Sequence, residues 1–151
     1  MKVLFVCLGN ICRSPTAEAV ARHLVETGEV PVGEGWEFDS AGTGNWHIGD
    51  PPDHRSTAAA AARGITLGGT ARQVSRSDFL HFDLLVAMDR SNRDELLALA
   101  PDGETAAKVR LLREFGDGDE LDVPDPYYGG PDGFEEVLDI VDRNLRALLN
   151  P

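Results

Sequence analysis

Cysteine is scarce in this chain, with two among 151 residues, Cys7 and Cys12. That excludes a disulfide framework, and the Cys-x4-Cys spacing matches neither a zinc ribbon nor the Cys-x-x-Cys of thiol oxidoreductases. Positive charge is short as well: 14 Lys and Arg face 26 Asp and Glu, a formal net charge of −12. Without clustered cations the chain cannot neutralise a run of nucleic-acid phosphates, and a basic membrane-surface anchor is excluded on the same ground. No apolar run approaches the roughly 18 residues of a membrane span. The opening run, residues 3–8, breaks off at Gly9-Asn10 and Arg13. It is too short for the core of a signal peptide, and no small-residue cleavage site follows, so a cytoplasmic setting is expected. His47, His54 and His81 fall at no metal-ligand spacing. No Walker motif is present, and Gly42-x-Gly44 lacks the third glycine of a dinucleotide fingerprint, having His47 there instead. Neither metal nor organic cofactor is expected, and neither nucleic acid nor membrane is expected as a partner.

What the chain does have is a 42% hydrophobic composition, enough at this length for one domain spanning 1–151 with a full core. Residues 2–7, 84–88 and 108–112 are continuous apolar runs of the kind that form buried parallel strands, and 37–40 is a shorter candidate. Between them lie helical patterns. After Ser14-Pro15, apolar residues at Ala17, Val20, Ala21, Leu24 and Val25 mark one helix face, with Ser14 as N-cap and Pro15 in the first turn. Residues 57–63 read as a helix stopped by Gly64, and 91–100 as one ending at Pro101. A last helix begins near Asp132, with Glu135 placed for a capping box. The order β-α-β-α-β-α-β-α predicts an α/β fold, a four-stranded parallel sheet with helices on both faces. Residues 114–133, rich in acids and carrying Pro124, Pro126 and Pro131, read as a long surface loop, and their spacing is not that of a calcium loop.

In such a sheet, ligands bind beyond the C-terminal ends of the strands. The loop there is Cys7-Leu8-Gly9-Asn10-Ile11-Cys12-Arg13-Ser14-Pro15. Its backbone N–H groups can curl into an anion cradle at the positive end of the following helix. Gly9 and Asn10 tolerate the positive φ that such a curl needs. Cys7 would sit at the centre, where amide donors and Arg13 favour its thiolate. A thiolate among donors that also fit three phosphate oxygens is a nucleophile aimed at phosphorus. The planar fork of Arg13 can hold two of those oxygens, and Ser14 can donate to the sulfur as the phospho-cysteine breaks down. Taken singly, Cys7 reads as a buried strand residue, Arg13 as a surface charge and Asp125 as a solvated loop acid. The joint pattern carries the weight.

With these residues in place, the chain resembles the low-molecular-weight protein tyrosine phosphatases over nearly its whole length. The matching segments are the loop from Cys7 to Pro15, Ser40-Ala41-Gly42-Thr43, Asn45-Trp46-His47, Ala71-Arg72-Gln73, Phe82-Asp83, Met88-Asp89, Ser91-Asn92 and Asp125-Pro126-Tyr127-Tyr128. The resemblance implies a flavodoxin-like fold of the phosphotyrosine phosphatase I type and tyrosine-phosphorylated proteins as substrates. It implies Cys7 as nucleophile, Arg13 as phosphate clamp and Asp125 as the acid that protonates the leaving phenol, then serves as base on water. Leu8, Gly9, Asn10, Ile11, Cys12 and Ser14 would bind phosphate, and Trp46, Tyr127 and Tyr128 would wall the phenyl ring. Asn10 would also hold the left-handed turn of the loop, and Asp89 would accept a hydrogen bond in its support. Cys12 would form a reversible disulfide with an oxidised Cys7. A phenol needs a proton to depart, which is an independent reason for a carboxyl on a loop beside the cradle, stiffened by Pro124 and Pro126. A bell-shaped, mildly acidic rate profile is expected, and a monomer.

One departure stands at Gly69, where many family members carry a histidine. Arg55, Arg72 and Arg90 are the candidates for substrate contact outside the cradle. Competing readings are weaker. Arsenate reductases of this fold need two more cysteines after Cys12, and there are none. Protein-arginine phosphatases carry threonine in place of Ile11 and a changed aromatic pair. A non-catalytic phosphate-binding module has no need to keep Cys7, Arg13, Ser14 and Asp125 together.

Overall fold

The computed structural model describes residues 1–130 and 132–150, with the side chain of Tyr128 outside that description. Strands β1 (Lys2–Cys7), β2 (Glu37–Gly42), β3 (Leu84–Ala87) and β4 (Val109–Leu111) form one all-parallel sheet in the order β2-β1-β3-β4. The helices are α1 (Arg13–Glu26), α2 (His54–Ala61), α3 (Asp78–His81), α4 (Arg90–Leu99), α5 (Gly103–Ala106) and α6 (Asp132–Leu149). Alternate strand residues point to opposite faces. Val3, Phe5 and Val86 therefore bury against α1 and α6, while Leu4, Val6, Leu85 and Ala87 bury with Phe79 of α3 and Leu96 of α4. Helices cover both faces, as the continuous apolar runs require. The chain winds from β1 to β2 in one direction and from β3 to β4 in the other, so the crevice between diverging connections opens beyond Cys7.

Several boundaries differ from the sequence reading. β2 runs on to Gly42, because its last residues pair with Val6 and Cys7 of β1. Glycine is needed there: a Cβ at position 42 would lie 2.7 Å from the Leu8 carbonyl oxygen. Helix α1 begins at Arg13 with Cys12 as its cap position, so Ser14 is inside the first turn and is no N-cap. Helix α2 starts earlier than expected, at His54, because the Asp53 carboxylate accepts from the Arg55 N–H and caps it. Gly64 does follow its end with φ 77°. Asp132 is already helical in α6, and Asp132 and Glu135 are first-turn acids beside the positive helix end. Among the described residues, no helix is long and apolar enough to cross a membrane.

The acid-rich stretch 114–133 is tied to the rest of the fold, at Val123 and at Asp117 among other points. Val123 is buried and its N–H donates to the Met88 carbonyl at 2.8 Å. Asp117 accepts from Arg113 Nε and Arg143 Nε, each at 2.7 Å, and from Asn144 Nδ2 at 2.8 Å. Burial pushes the Asp117 carboxyl up, but the hydrogen bonds from Arg143, Asn144 and Arg113 outweigh it and bring it from 3.8 down to about 2. A carboxylate with a lowered folded-state value stabilises fully above its unfolded value and loses that contribution as pH falls from about 4 to about 2. Asp117→Asn is accordingly expected to cost about 2 kcal/mol at pH 7 and to differ little from wild type near pH 2. Urea unfolding at both pH values checks this, and equal losses at the two would contradict it.

Candidate active site

Cys7 ends β1 with 2% of its surface exposed. The next five residues curl before α1 begins, and Asn10, with φ 57°, makes the turn. It is the one non-glycine residue with positive φ among the described residues. Gly9 does not share that conformation, contrary to expectation. What its small size provides is space, since a Cβ at position 9 would sit 3.1 Å from the His47 ring. The Asn10 N–H donates to Cys7 Sγ at 3.2 Å. Its side-chain oxygen accepts from the Arg72 N–H at 3.0 Å and its amide nitrogen donates to Ser14 Oγ at 2.8 Å. Ser14 Oγ, which accepts that hydrogen bond, also shares one with Cys7 Sγ at 3.0 Å and donates to the Ala41 carbonyl at 3.4 Å. The Cys7 sulfur thus has a backbone amide and a hydroxyl within hydrogen-bond reach, both from the loop and first helical turn that follow it.

Arg13 is the first residue of α1 and only 3% exposed. Its Nη1 donates to Asp89 Oδ2 at 2.6 Å and to the Val123 carbonyl at 3.0 Å, and Nη2 lies 3.6 Å from Asp125 Oδ2. Burial disfavours the charged guanidinium, yet Cys7, then Asp89 and Asp125, hold it above its ordinary value. Asp89 has a second task, since its other oxygen accepts from Asn92 N–H at 2.7 Å and caps α4.

These groups open onto a cavity of about 270 Å³. Its floor comes from Cys7, Leu8, Gly9, Ile11, Cys12 and Arg13, one wall from Trp46 and His47, and the other from Asp125 and Tyr127. Asn10 and Ser14 lie behind the loop and do not line it. Trp46 forms the outer rim, 69% exposed, and a Cβ on Gly44 would collide with its ring. The ring expected of Tyr128 lies outside the described residues. Asp125 Oδ1 accepts from the Tyr127 N–H at 3.0 Å, which starts a short 3-10 turn at Pro126–Tyr128. Burial pushes the Cys12 thiol up to about 12, with the Ser56 hydrogen bond opposing it, so at neutral pH Cys12 keeps its proton.

None of the three arginines expected near substrate lines the cavity. Arg72 pairs with Asp78 and Asp39, Arg90 with Asp122 and Arg55 with Asp53. Sequence reasoning missed His47, which lines the cavity and sits with its ring 6.3 Å from that of Tyr127. Its place after Trp46 in a matching segment was the available signal. It also missed the support given by Asp53, whose N–H donates to the Ile11 carbonyl at 2.8 Å.

A parallel α/β fold that delivers a buried thiol into a loop of amides, beside a buried arginine, defines a protein built to hold a tetrahedral oxyanion. The family described as low molecular weight phosphotyrosine protein phosphatase matches residues 2–151, and the chain belongs to that family. It is 51% identical over 151 residues to a low molecular weight protein-tyrosine-phosphatase of Streptomyces coelicolor, covering 98% of this chain and 91% of the relative. A low molecular weight phosphotyrosine protein phosphatase of Homo sapiens is 43% identical, with 97% and 92% covered. Among solved structures, a protein tyrosine phosphatase from Entamoeba histolytica with Hepes in its active site superposes with a TM-score of 0.91 at 41% identity, covering 98% of this chain and 94% of that one. The YwlE arginine phosphatase, as a cysteine-to-serine variant with a phosphorylated active-site serine, superposes with a TM-score of 0.86 at 27% identity, covering 99% and 93%.

Proposed function

We propose that the chain acts as one domain, and as a monomer, to hydrolyse phosphotyrosine in proteins through a cysteinyl-phosphate intermediate. The observation that carries this reading is the meeting of Cys7, Arg13 and Asp125 on one cavity whose walls include Trp46 and Tyr127. The Cys7 thiolate forms a bond to phosphorus as the bond to the tyrosine oxygen breaks, and Asp125 gives its proton to the departing phenolate. Water then attacks the phospho-cysteine while Asp125 takes a proton from it, releasing inorganic phosphate and the thiolate. Arg13 and the loop amides hold the three non-bridging oxygens, where charge accumulates in both steps. The Ser14 hydroxyl stabilises sulfur as it leaves. No step draws on a metal or cofactor, and the requirement for a reduced Cys7 fits a cytoplasmic setting.

Aromatic walls favour a phenyl ring over the shorter serine side chain. The test is phosphate release from a phosphotyrosine peptide, a phosphoserine peptide and a phosphoarginine peptide, without added metal. Phosphotyrosine is expected to exceed both others in kcat/KM by roughly 100-fold or more. Preferential cleavage of phosphoarginine would transfer the chain to the activity named for YwlE.

A further inference from the structure

Arg55 lies outside the cavity, yet it touches both parts of the machinery that borders it. On one side, its Nε and Nη2 donate to the two oxygens of Asp53, each at 3.2 Å. Asp53 in turn hangs from the phosphate loop through its N–H on the Ile11 carbonyl. On the other side, Arg55 Nη2 donates to the Tyr127 carbonyl at 3.4 Å, and its guanidinium carbon stands 5.4 Å from the Tyr127 ring centre. The Phe134 ring, buried against Ile11, Cys12 and Ala71, lies 4.8 Å from the same carbon. The Tyr127 N–H donates to Asp125 Oδ1. One guanidinium thus joins the loop that carries Cys7 to the turn that carries Asp125, beside the pairing of Arg13 Nη2 with Asp125 Oδ2 at 3.6 Å.

We infer that Arg55 is a positioning residue that sets the Asp125 carboxyl against the leaving-group oxygen by tying its turn to the phosphate loop. The inference rests on the function proposed above. A planar cation is suited to this task, because it forks onto a carboxylate while its faces stack on rings, and lysine reproduces only its charge. Acting through Asp125, Arg55 matters for delivery of the proton and not for capture of phosphate, which Arg13 and the loop amides perform. Its removal should therefore hurt substrates in proportion to their need for that proton.

The test compares wild type with Arg55→Met, which keeps an unbranched apolar stem and loses the fork and the charge. For phenyl phosphate, whose leaving group needs a proton, kcat/KM is expected to fall about 10-fold, within the range of general acid catalysis. For a nitrophenyl phosphate, whose leaving group departs readily, it is expected to change less than about twofold, and inhibition by inorganic phosphate is expected to be unchanged. Arg55→Lys is expected to recover only part of the loss, which keeps the test open if the methionine variant folds poorly. In an Asp125→Asn background, Arg55→Met is expected to cost nothing further, because the group it acts through is gone. Equal losses on both esters, a weakened hold on phosphate, or full additivity with Asp125→Asn would overturn the positioning role while leaving the phosphatase function standing. A wild type inactive on both esters, yet still binding phosphate, would overturn both.

Discussion

Cys7→Ser is expected to lower kcat/KM for a phosphotyrosine peptide by at least about 10⁴-fold, the scale on which loss of a nucleophile registers in covalent catalysis. The site is arranged for sulfur. Asn10 N–H at 3.2 Å and Ser14 Oγ at 3.0 Å lie at distances suited to a large, polarisable thiolate. A serine oxygen is bound closer to Cβ, sits farther from both donors, and holds its proton at any pH the fold survives. The substitution removes no packing volume of consequence at a residue only 2% exposed, so folding should be unaffected. Phosphate capture should also survive, because the amides and Arg13 remain. Steady-state phosphate release, with a thermal shift by orthophosphate alongside, separates these effects. Turnover within tenfold of wild type would remove Cys7 from the mechanism.

Asp125→Asn should have the second largest effect, a fall of about 10²- to 10³-fold in kcat/KM for phosphotyrosine. Asparagine keeps an oxygen to accept from the Tyr127 N–H, so the 3-10 turn should hold. What it loses is the proton and the charge that faces Arg13 Nη2 at 3.6 Å. A nitrophenyl ester should lose far less, because its leaving group departs as an anion unaided. The pH profile gives the sharper readout. On the alkaline side of the expected bell, where the carboxyl must still hold its proton, the decline predicted for wild type should vanish in the variant. Persistence of that limb would assign it to another group.

Much of this site was legible in the chain itself. Buried parallel strands are continuous apolar runs, and residues 2–7 emerged with the bounds of β1, which fixes where Cys7 ends and the loop begins. Asn10 in a left-handed turn and Asp89 as an acceptor for the loop followed from residue type and resemblance. Of the two roles read for Ser14, N-cap and partner of the Cys7 sulfur, only the second is met, because local preference and tertiary demand conflict there. Serine is an apt N-cap, but the hydroxyl serves the sulfur seven residues back and the helix starts without a side-chain cap. Helices α3 and α5 are four residues each, too short to show a period. Arg55 meets Tyr127 across 72 residues, a contact that no local pattern announces. Asp117 was hidden for a different reason: among many acids in one stretch, composition does not distinguish the one that three side chains seek out.

Asp89 divides its carboxylate between Asn92 of α4 and the Arg13 guanidinium. Directed evolution would meet a single constraint there from two selections. A screen for heat resistance and a screen for turnover should return the same residue, since a substitution at position 89 frees the cap of a helix and the anchor of the clamp together. Diversity in such libraries should gather elsewhere, on the exposed face of α4, leaving this aspartate as a point where robustness and rate cannot drift apart.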